Sequence, residues 1–467
     1  MSERPASSDS GVTEDHEALD EDYVLTAAFV EKVVDAADDS DGLRLRSLLE
    51  DLHPADVADL MGFLTAEHRG VVVLWLPPEL LAETLPELDD GIREEVLERV
   101  APGTLAEALQ ELDSDDAAAV VEDLEDDQRE KVLAAMPAPD RAAIENSLGY
   151  AEDSAGRLMQ REVMAAPQFW SVGDTIDHVR AQGEDLPELF FDIYIVDPMN
   201  RPIGGIPISG LLRASRTVKL ADLMEPVNAI AADTDQEEVA YIFEKYHLIS
   251  APVVDAGGRL VGQITVDDIV NIIQEENRED ILRLAGVSDE SRGAGVFGVV
   301  RSRIPWLIVN LGTAIFASLV IGQFTAELEA LVYLAILMPV VASIGGNSGT
   351  QALTVAVRSL ASRELTSANA PRILGREVMV GLFNGVCIGL LLGGVAWIWF
   401  REPLLSLTIG LAVLINLVAA SLAGTLVPLA LDRLDRDPAV ASPVFVTWIT
   451  DTVGFLSFLG LAGVILL

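Results

Sequence analysis

The sequence predicts a multidomain protein: an all-α superhelical N-terminal region, two copies of an α/β unit, a connecting helix and five transmembrane α-helices. A 24-residue repeat between residues 53 and 148, an ungapped repeat shared by residues 195–212 and 253–270, and five long apolar runs after residue 300 predict it. Half the residues are hydrophobic, yet the net charge is -43. These properties lie apart, because from Gly298 onward nine basic residues balance nine acidic ones. The excess negative charge therefore belongs to the first 297 residues. A soluble part of that length holds more than one domain, since single cores stop growing at roughly 250 to 300 residues.

That acidity excludes nucleic acid and anionic lipid as its main partners and favours cations or solvation. Only four lysines occur in the chain, so adaptation to a salty cytoplasm explains the bulk charge as well as cation binding does. Residues 1–23 form a polar, acidic, disordered segment without an apolar signal region, which places the soluble part in the cytosol. Cys387 lies in an apolar run and reads as packing, with no disulfide framework or thiolate metal site. The five histidines, at 16, 53, 68, 178 and 247, are scattered, and no nucleophile motif or phosphate loop accompanies them. This is not the sequence of an enzyme.

Within residues 24–150 the repeat runs His53 to Leu76, Pro77 to Val100, Ala101 to Leu124 and Glu125 to Leu148. Positions 9, 12, 20 and 24 are apolar in every copy, and each copy reads as two short helices. Stacking such units buries what one unit cannot, giving an α-solenoid. In the second repeat Asp197 aligns with Asp255, Arg201 with Arg259, Gly204 with Gly262 and Ile206 with Ile264, and Leu158-Met159 matches Leu223-Met224 upstream. Each copy reads as strand, turn, strand and helix. The arrangement resembles a tandem pair of CBS domains, 151–215 and 216–273, an α/β regulatory module that tends to bind adenine nucleotides or ions. Thr265-Val266-Asp267 resembles the motif with which such domains hold a ribose and phosphate, which makes Thr265 and Asp267 candidates for ATP or another adenine nucleotide. Capping of the following helix explains the same residues equally well. A connecting segment, 274–300, continues that helix and carries Glu275, Glu276, Glu279 and Asp280.

The transmembrane domain, 301–467, has charge-free runs from Ile304 up to but not including Glu327, Ala330 to Val357, Val378 to Phe400, Pro403 to Leu431, and Pro438 to Leu467, the last interrupted only by Asp451. Each meets the requirement of about 20 mostly apolar residues for a span. Arg301, Arg303, Arg358, Arg363, Arg372, Arg376, Arg433 and Arg436 flank the spans on the side of the soluble part, and Arg401 stands alone on the other. The positive-inside rule then places the N-terminus in the cytosol and the C-terminus outside.

Asp451 lies about midway along the fifth span, where a carboxylate costs about 2.5–3.5 kcal/mol and by default marks a pathway. No span offers an Arg or Lys to pair with it. Thr447 and Gly454 share its helical face. Pro339 to Gln351 packs a proline, Gly345, Gly346, Gly349 and Asn347 into the second span. That composition predicts an interrupted helix, which is tolerated only where backbone is buried in protein or lines a water-filled cavity. Close packing through small residues is the alternative for the glycines. Magnesium keeps much of its water shell and meets one or two carboxylates, which suits this inventory, and zinc, copper and nickel are disfavoured.

The PVVASIGGNSGTQ stretch, the Asp-Pro-Ala start of the last span with an Asp fourteen residues on, the paired CBS-like units and the acidic helical repeat together resemble the MgtE family of magnesium channels. The resemblance covers the chain from about residue 24. It implies a homodimer in the inner (plasma) membrane, in contact with lipid, with Asp451 of each chain holding hydrated Mg2+ on the two-fold axis and Asn347, Gly345, Gly346 and Thr447 lining the path. It also implies that cytosolic Mg2+ bridges Asp267, Glu275, Glu276, Asp280 and Asp437 and closes the pore. Ser442-Pro443-Val444 departs from the family pattern by placing the proline one residue early. A secondary transporter coupled to sodium or protons, and a membrane-anchored sensor that does not transport, remain alternatives.

Overall fold

The 24-residue repeat folds as its apolar positions require. In the computed structural model its four copies are the helix pairs α3 (Pro54–Phe63) and α4 (Ala66–Val73), α5 (Pro78–Glu87) and α6 (Asp90–Leu97), α7 (Pro102–Ala108) and α8 (Ser114–Glu122), and α9 (Asp126–Ala135) and α10 (Ala138–Ser147). They follow α1 (Ala27–Asp38) and α2 (Gly42–Leu49). The twentieth position of each copy, Val72, Val96, Val120 and Ile144, is buried in one continuous core. Pro54, Pro78 and Pro102 start the first helix of three copies, where the missing N–H costs no helical hydrogen bond. The arginine at one register position ties each of two copies to the next, Arg69 to Glu95 and Arg93 to Asp123, both at 2.5 Å.

The structure describes residues 18–20, 22–182, 186, 190–285, 287, 296–366, 368–434 and 436–467. Most of the predicted disordered segment, 1–17 and 21, lies outside them, as do 286 and 288–295 of the connecting segment. Leu19 pairs with Leu25 in an antiparallel bridge and packs on the solenoid core, so ordered chain precedes residue 24.

The α/β repeat comprises α11 (Ala155–Leu158), β1 (Ala165–Pro167), α12 (Val172–Gln182), β2 (Asp192–Val196), β3 (Pro202–Pro207) and α13 (Ile208–Arg213), then α14 (Leu220–Leu223), β4 (Ile230–Ala231), α15 (Gln236–Tyr246), β5 (Ser250–Val254), β6 (Leu260–Thr265) and α16 (Val266–Leu284). Each half holds a three-stranded sheet with one parallel and one antiparallel pairing. Asp197 and Asp255 play the same part, each accepting two backbone N–H bonds across the tight turn between its strands. The halves exchange their leading segments. Met159 packs in the core of the second half, where a Cβ on Gly262 would lie 2.8 Å from its sulfur, and Met224 meets Gly204 of the first half at the same distance. The expected linear boundary at 215/216 is therefore crossed in both directions. The sequence signal was the Leu-Met pair at 158 and 223.

Contacts divide the chain after Ile273 into two compact units. The second contains α17 (Val296–Gly322), α18 (Thr325–Ala330), α19 (Tyr333–Ala361), α20 (Ala370–Phe400), α21 (Pro403–Asp432) and α22 (Pro438–Ile465). Among the described residues four helices, α17, α20, α21 and α22, are long and apolar enough to cross a membrane. The remaining expected span, second in chain order, is α19, a helix of 29 residues diluted by its Gly-Gly-Asn-Ser-Gly-Thr-Gln stretch. The expected interruption of this helix does not occur: it runs unbroken through Pro339 and the three glycines. Its glycines supply room instead, because a Cβ on Gly345 would lie 2.1 Å from Asn416 on α21, and one on Gly349 would lie 2.6 Å from Val446 on α22. Cys387, expected as packing, is exposed on α20.

The closest helix approach is between α20 and α21. Gly381, Gly385, Gly389 and Gly393 recur every fourth residue, and a Cβ on Gly389 would lie 2.6 Å from the Gly410 carbonyl oxygen. Small residues at this spacing let two backbones meet. Since the obstacle is backbone rather than a movable side chain, Gly389→Leu is expected to separate the helices and to cost about 1–3 kcal/mol, the usual penalty of overpacking. Detergent melting curves should show the loss, and Gly394→Leu, at an open position, should leave the melt unchanged.

Candidate ion pathway and acidic clusters

Helices α19 and α22 touch at Gly349, which meets Val446 and Thr450. Asn347 lies two residues before that contact and Asp451 one residue after Thr450, so the two predicted ligands sit at one level of the helix pair. Asn347 is exposed, as are Ser343, Thr350 and Thr354 at helical spacing along α19, and Thr447 one turn before Asp451 on α22; Asp451 is half-buried. The hydroxyls of Thr350 and Thr354 donate to carbonyls four residues back, which lowers the cost of their exposure on an otherwise apolar helix. The outcome is an uncovered polar stripe on α19 and α22, continuous where other exposed polar side chains of the bundle, such as Asn310 on α17 and Asn384 on α20, stand singly.

One of the glycines expected along the path packs inside the bundle. Gly345 is buried against Asn416 and serves packing, while Gly346, with no neighbour within 4 Å of a built Cβ, stays on the open side with Asn347. Gly454, expected beside Asp451 on one polar face, also faces Asn416, at 2.7 Å from a built Cβ. Sequence reasoning missed Asn416, which is fully buried and donates from Nδ2 to the Val341 carbonyl at 3.1 Å while its Oδ1 has no partner. The signal was available: Asn416 stands alone among apolar residues in the fourth span.

At the start of α22, Asp437 accepts from the Ala439 N–H at 2.7 Å, the ordinary N-cap bond, with Pro438 at the first helical position. Its other oxygen accepts from Arg283 of α16 at 2.7 Å, and Arg283 also pairs with Glu279. Asp280 stands beside them, its carboxyl pushed above the usual range by burial and by the charges of Asp437 and Glu276, against the pull of Arg283. Glu276 is half-buried and Glu275 exposed on the same helix. Ser442 is fully buried and its hydroxyl has no partner, and α22 passes through Pro443 without a break.

A second acidic cluster lies within the soluble unit, where the first turns of α8 and α16 approach each other. Ser114 caps this contact, donating to Glu162 at 2.8 Å and accepting from the Arg161 N–H. Burial, then the charges of Asp268, Asp116 and Asp113, hold the Asp115 carboxyl well above its ordinary value, and its Oδ1 has no hydrogen-bond partner. Burial and neighbouring carboxylates, Asp113 and Glu87 foremost, push Asp116 up to about 6. Burial with Asp267 and Asp116 raises Asp268 to about 7. Of this group the sequence reading found Asp267, which is exposed; the run Asp113-Ser114-Asp115-Asp116 was the missed signal. Thr265 is buried and donates to Asp268 at 3.0 Å, so the carboxylate that pairs with Thr265 at the head of α16 is Asp268 and not Asp267. Among the described residues no three His, Cys, Asp or Glu side chains are grouped so as to hold a metal ion.

Long apolar helices with an interior carboxylate beside a polar stripe, following a solenoid and a paired α/β module, define a membrane-embedded ion transporter with a large soluble part. The comparisons with known proteins agree. Residues 338–461 match the MgtE profile, described as a divalent cation transporter, 52–153 match the MgtE intracellular N domain, and 220–275 match the CBS domain. The magnesium transporter MgtE of Thermus thermophilus is 34% identical over 439 residues, spanning 92% of this chain and 97% of that protein. That of Bacillus subtilis is 30% identical over 420 residues, spanning 89% and 93%. A crystal structure of the cytosolic domain of the Mg2+ channel MgtE in complex with ATP is 34% identical, covering 52% of this chain and 99% of its own, with a TM-score of 0.49. This chain belongs to the MgtE family of divalent cation transporters.

Proposed function

We propose that the chain conducts magnesium into the cytosol through a pore built by two copies, and that cytosolic magnesium closes it. The observation that carries this reading is the polar stripe of Ser343, Asn347, Thr350, Thr354 and Thr447 beside Asp451, uncovered in a single chain. Polar groups facing hydrocarbon are costly, so such a face is stable only against protein or a water-filled path. A second copy across a two-fold axis supplies both. Asp451, from each copy, would hold an ion that keeps most of its water, and the Asn347 amide oxygen, Gly346 and Thr447 would border it. The soluble part lies in the cytosol and the C-terminus outside, in the cell's inner membrane.

Closure rests on the carboxylates at the two ends of α16. Asp267 and Asp268 begin the helix near Asp115 and Asp116, and Glu275, Glu276 and Asp280 lie toward its end, with Asp437 at the start of α22. Divalent cations would bridge charges that otherwise repel, fixing a helix that leads into the pore domain. Asp267 at the first turn of α16, with Thr265 before it, is also where an adenine nucleotide such as ATP would bind.

Magnesium uptake into proteoliposomes, with internal magnesium set low or high, tests the reading. Uptake at low and not at high internal magnesium is expected. Uptake indifferent to internal magnesium would remove the gating claim, and a reversal potential that moves with sodium or pH would show a coupled transporter instead.

A further inference from the structure

Between the end of α19, the start of α20 and the middle of α21 lies a pocket of about 170 Å³, away from the face that carries Asn347 and Asp451. Its charged lining is Glu364, Arg376 and Glu377, and its apolar lining includes Val355, Leu365 and Ile373. Helix α20 begins eight residues before the expected span, which brings Glu377 into its second turn. The Glu377 side chain is only 14% exposed, and it pairs at 3.2 Å with Arg376, itself 65% exposed. The wall is fixed rather than loose: the Leu365 N–H donates to the Ser359 carbonyl at 2.7 Å, and Asn369 accepts from the Thr366 N–H and donates to the Glu364 carbonyl. Leu365 is buried with Ala356, Ala370 and Leu429 beneath the pocket.

Of the basic residues that mark the edge of the hydrocarbon region, Arg376 lines the pocket, and Arg358, Arg363 and Arg372 stand on the chain segments that form it. A carboxylate drawn into such a boundary beside an outward guanidinium presents negative charge inside and positive charge at the rim. We propose that this pocket binds the headgroup of a zwitterionic phospholipid with a primary amine, the ammonium on Glu377 and Glu364 and the phosphate on Arg376. A bare divalent cation suits it poorly, because it brings no anion for the Arg376 guanidinium, whereas a zwitterionic headgroup brings a phosphate that draws the guanidinium off the Glu377 carboxylate and leaves that carboxylate to the ammonium. An anionic headgroup meets two carboxylates against one arginine. A quaternary ammonium has no N–H to donate to Glu377. The volume holds about six waters at roughly 30 Å³ each, enough for a headgroup and not for acyl chains, which would lie along Val355 and the outer face of α20. The inference rests on the membrane-spanning reading and not on magnesium conduction.

The test is lipid retention by the full-length protein in detergent. After equal loading with phosphatidylethanolamine, phosphatidylcholine and phosphatidylglycerol and a delipidating wash, native mass spectrometry counts the bound molecules. Retention of phosphatidylethanolamine at least fivefold above the other two is expected. Glu377→Gln should bring it down to the phosphatidylcholine level, and Arg376→Gln should lower retention of both zwitterionic lipids. Equal retention of the three lipids, a preference for phosphatidylglycerol, or an undiminished preference in Glu377→Gln would overturn the proposal. If Glu377→Gln does not fold, competition among the three lipids on the unmodified protein and the Arg376→Gln result decide it. Because no ion flux is read, failure here leaves the transport reading standing, and failed transport leaves this one standing.

Discussion

Asp451→Asn is expected to cut magnesium uptake at least tenfold, a change of about 1.4 kcal/mol in the barrier, while leaving the protein as stable as before or more so. The two halves of that expectation have opposite physical origins. The amide keeps the size of the carboxylate, so the packing of α22 on α19 and α21 through Thr450, Val446 and Phe458 is untouched. Removing a charge from mid-helix relieves an insertion cost of about 2.5–3.5 kcal/mol. Only a function that needs the negative charge should suffer. Proteoliposome uptake and a detergent melting curve on the same preparation separate the cases: normal uptake would make Asp451 a structural group, and a collapsed melt would make the flux result uninformative about the pore. Asn347→Ala should act in the same direction and more weakly, because an amide oxygen offers a dipole where Asp451 offers a charge.

The periodic parts of the fold were legible because each apolar position has one way to be buried. Val72, Val96, Val120 and Ile144 fell at one position in the second helix of four successive copies, and Asp197 and Asp255 on equivalent turns. The exchange of Met159 and Met224 between the two α/β halves was written as a matched Leu-Met pair, but a single sequence does not say which half a leading segment packs against. The interruption expected in α19 failed for a related reason. Glycine lowers helix propensity by about 1 kcal/mol in isolation, yet here Gly345 and Gly349 admit Asn416, Val446 and Thr450, and tertiary packing outweighs propensity. The acidic cluster was least legible, since in a chain with 74 acidic residues nothing local distinguishes Asp115, Asp116 and Asp268 from solvated neighbours. Only the approach of α8 to α16 does so.

That cluster carries the second large effect. In the folded protein Asp116 titrates at about 6 and Asp268 at about 7, with Asp115 also raised, whereas an unfolded aspartate titrates near 3.9. Between about pH 4 and pH 7 the folded state therefore holds more protons than the unfolded state, and stability falls as pH rises through that window. The stabilising contribution is complete below the unfolded value and gone above the folded one. Without divalent cations, the melting temperature of the full chain's soluble unit should drop between pH 5 and pH 8, and magnesium should restore it most at pH 8, where the carboxylates are ionised and no proton competes. In Asp115→Asn with Asp268→Asn these two buried carboxylates no longer repel each other or their neighbours, without any cation. The double variant should melt higher than the native chain at pH 8 in chelator, gain little from magnesium, and show uptake that no longer changes with internal magnesium. An unchanged magnesium increment in the melt would mean that the ions act elsewhere, and the carboxylates around Asp280 and Asp437 would then have to carry the gating alone. There Arg283 already pairs with both Asp437 and Glu279, so a cation entering must displace or share an existing positive charge. For that reason the uncompensated cluster at Asp115 and Asp268 is the one expected to respond at the lower magnesium concentration.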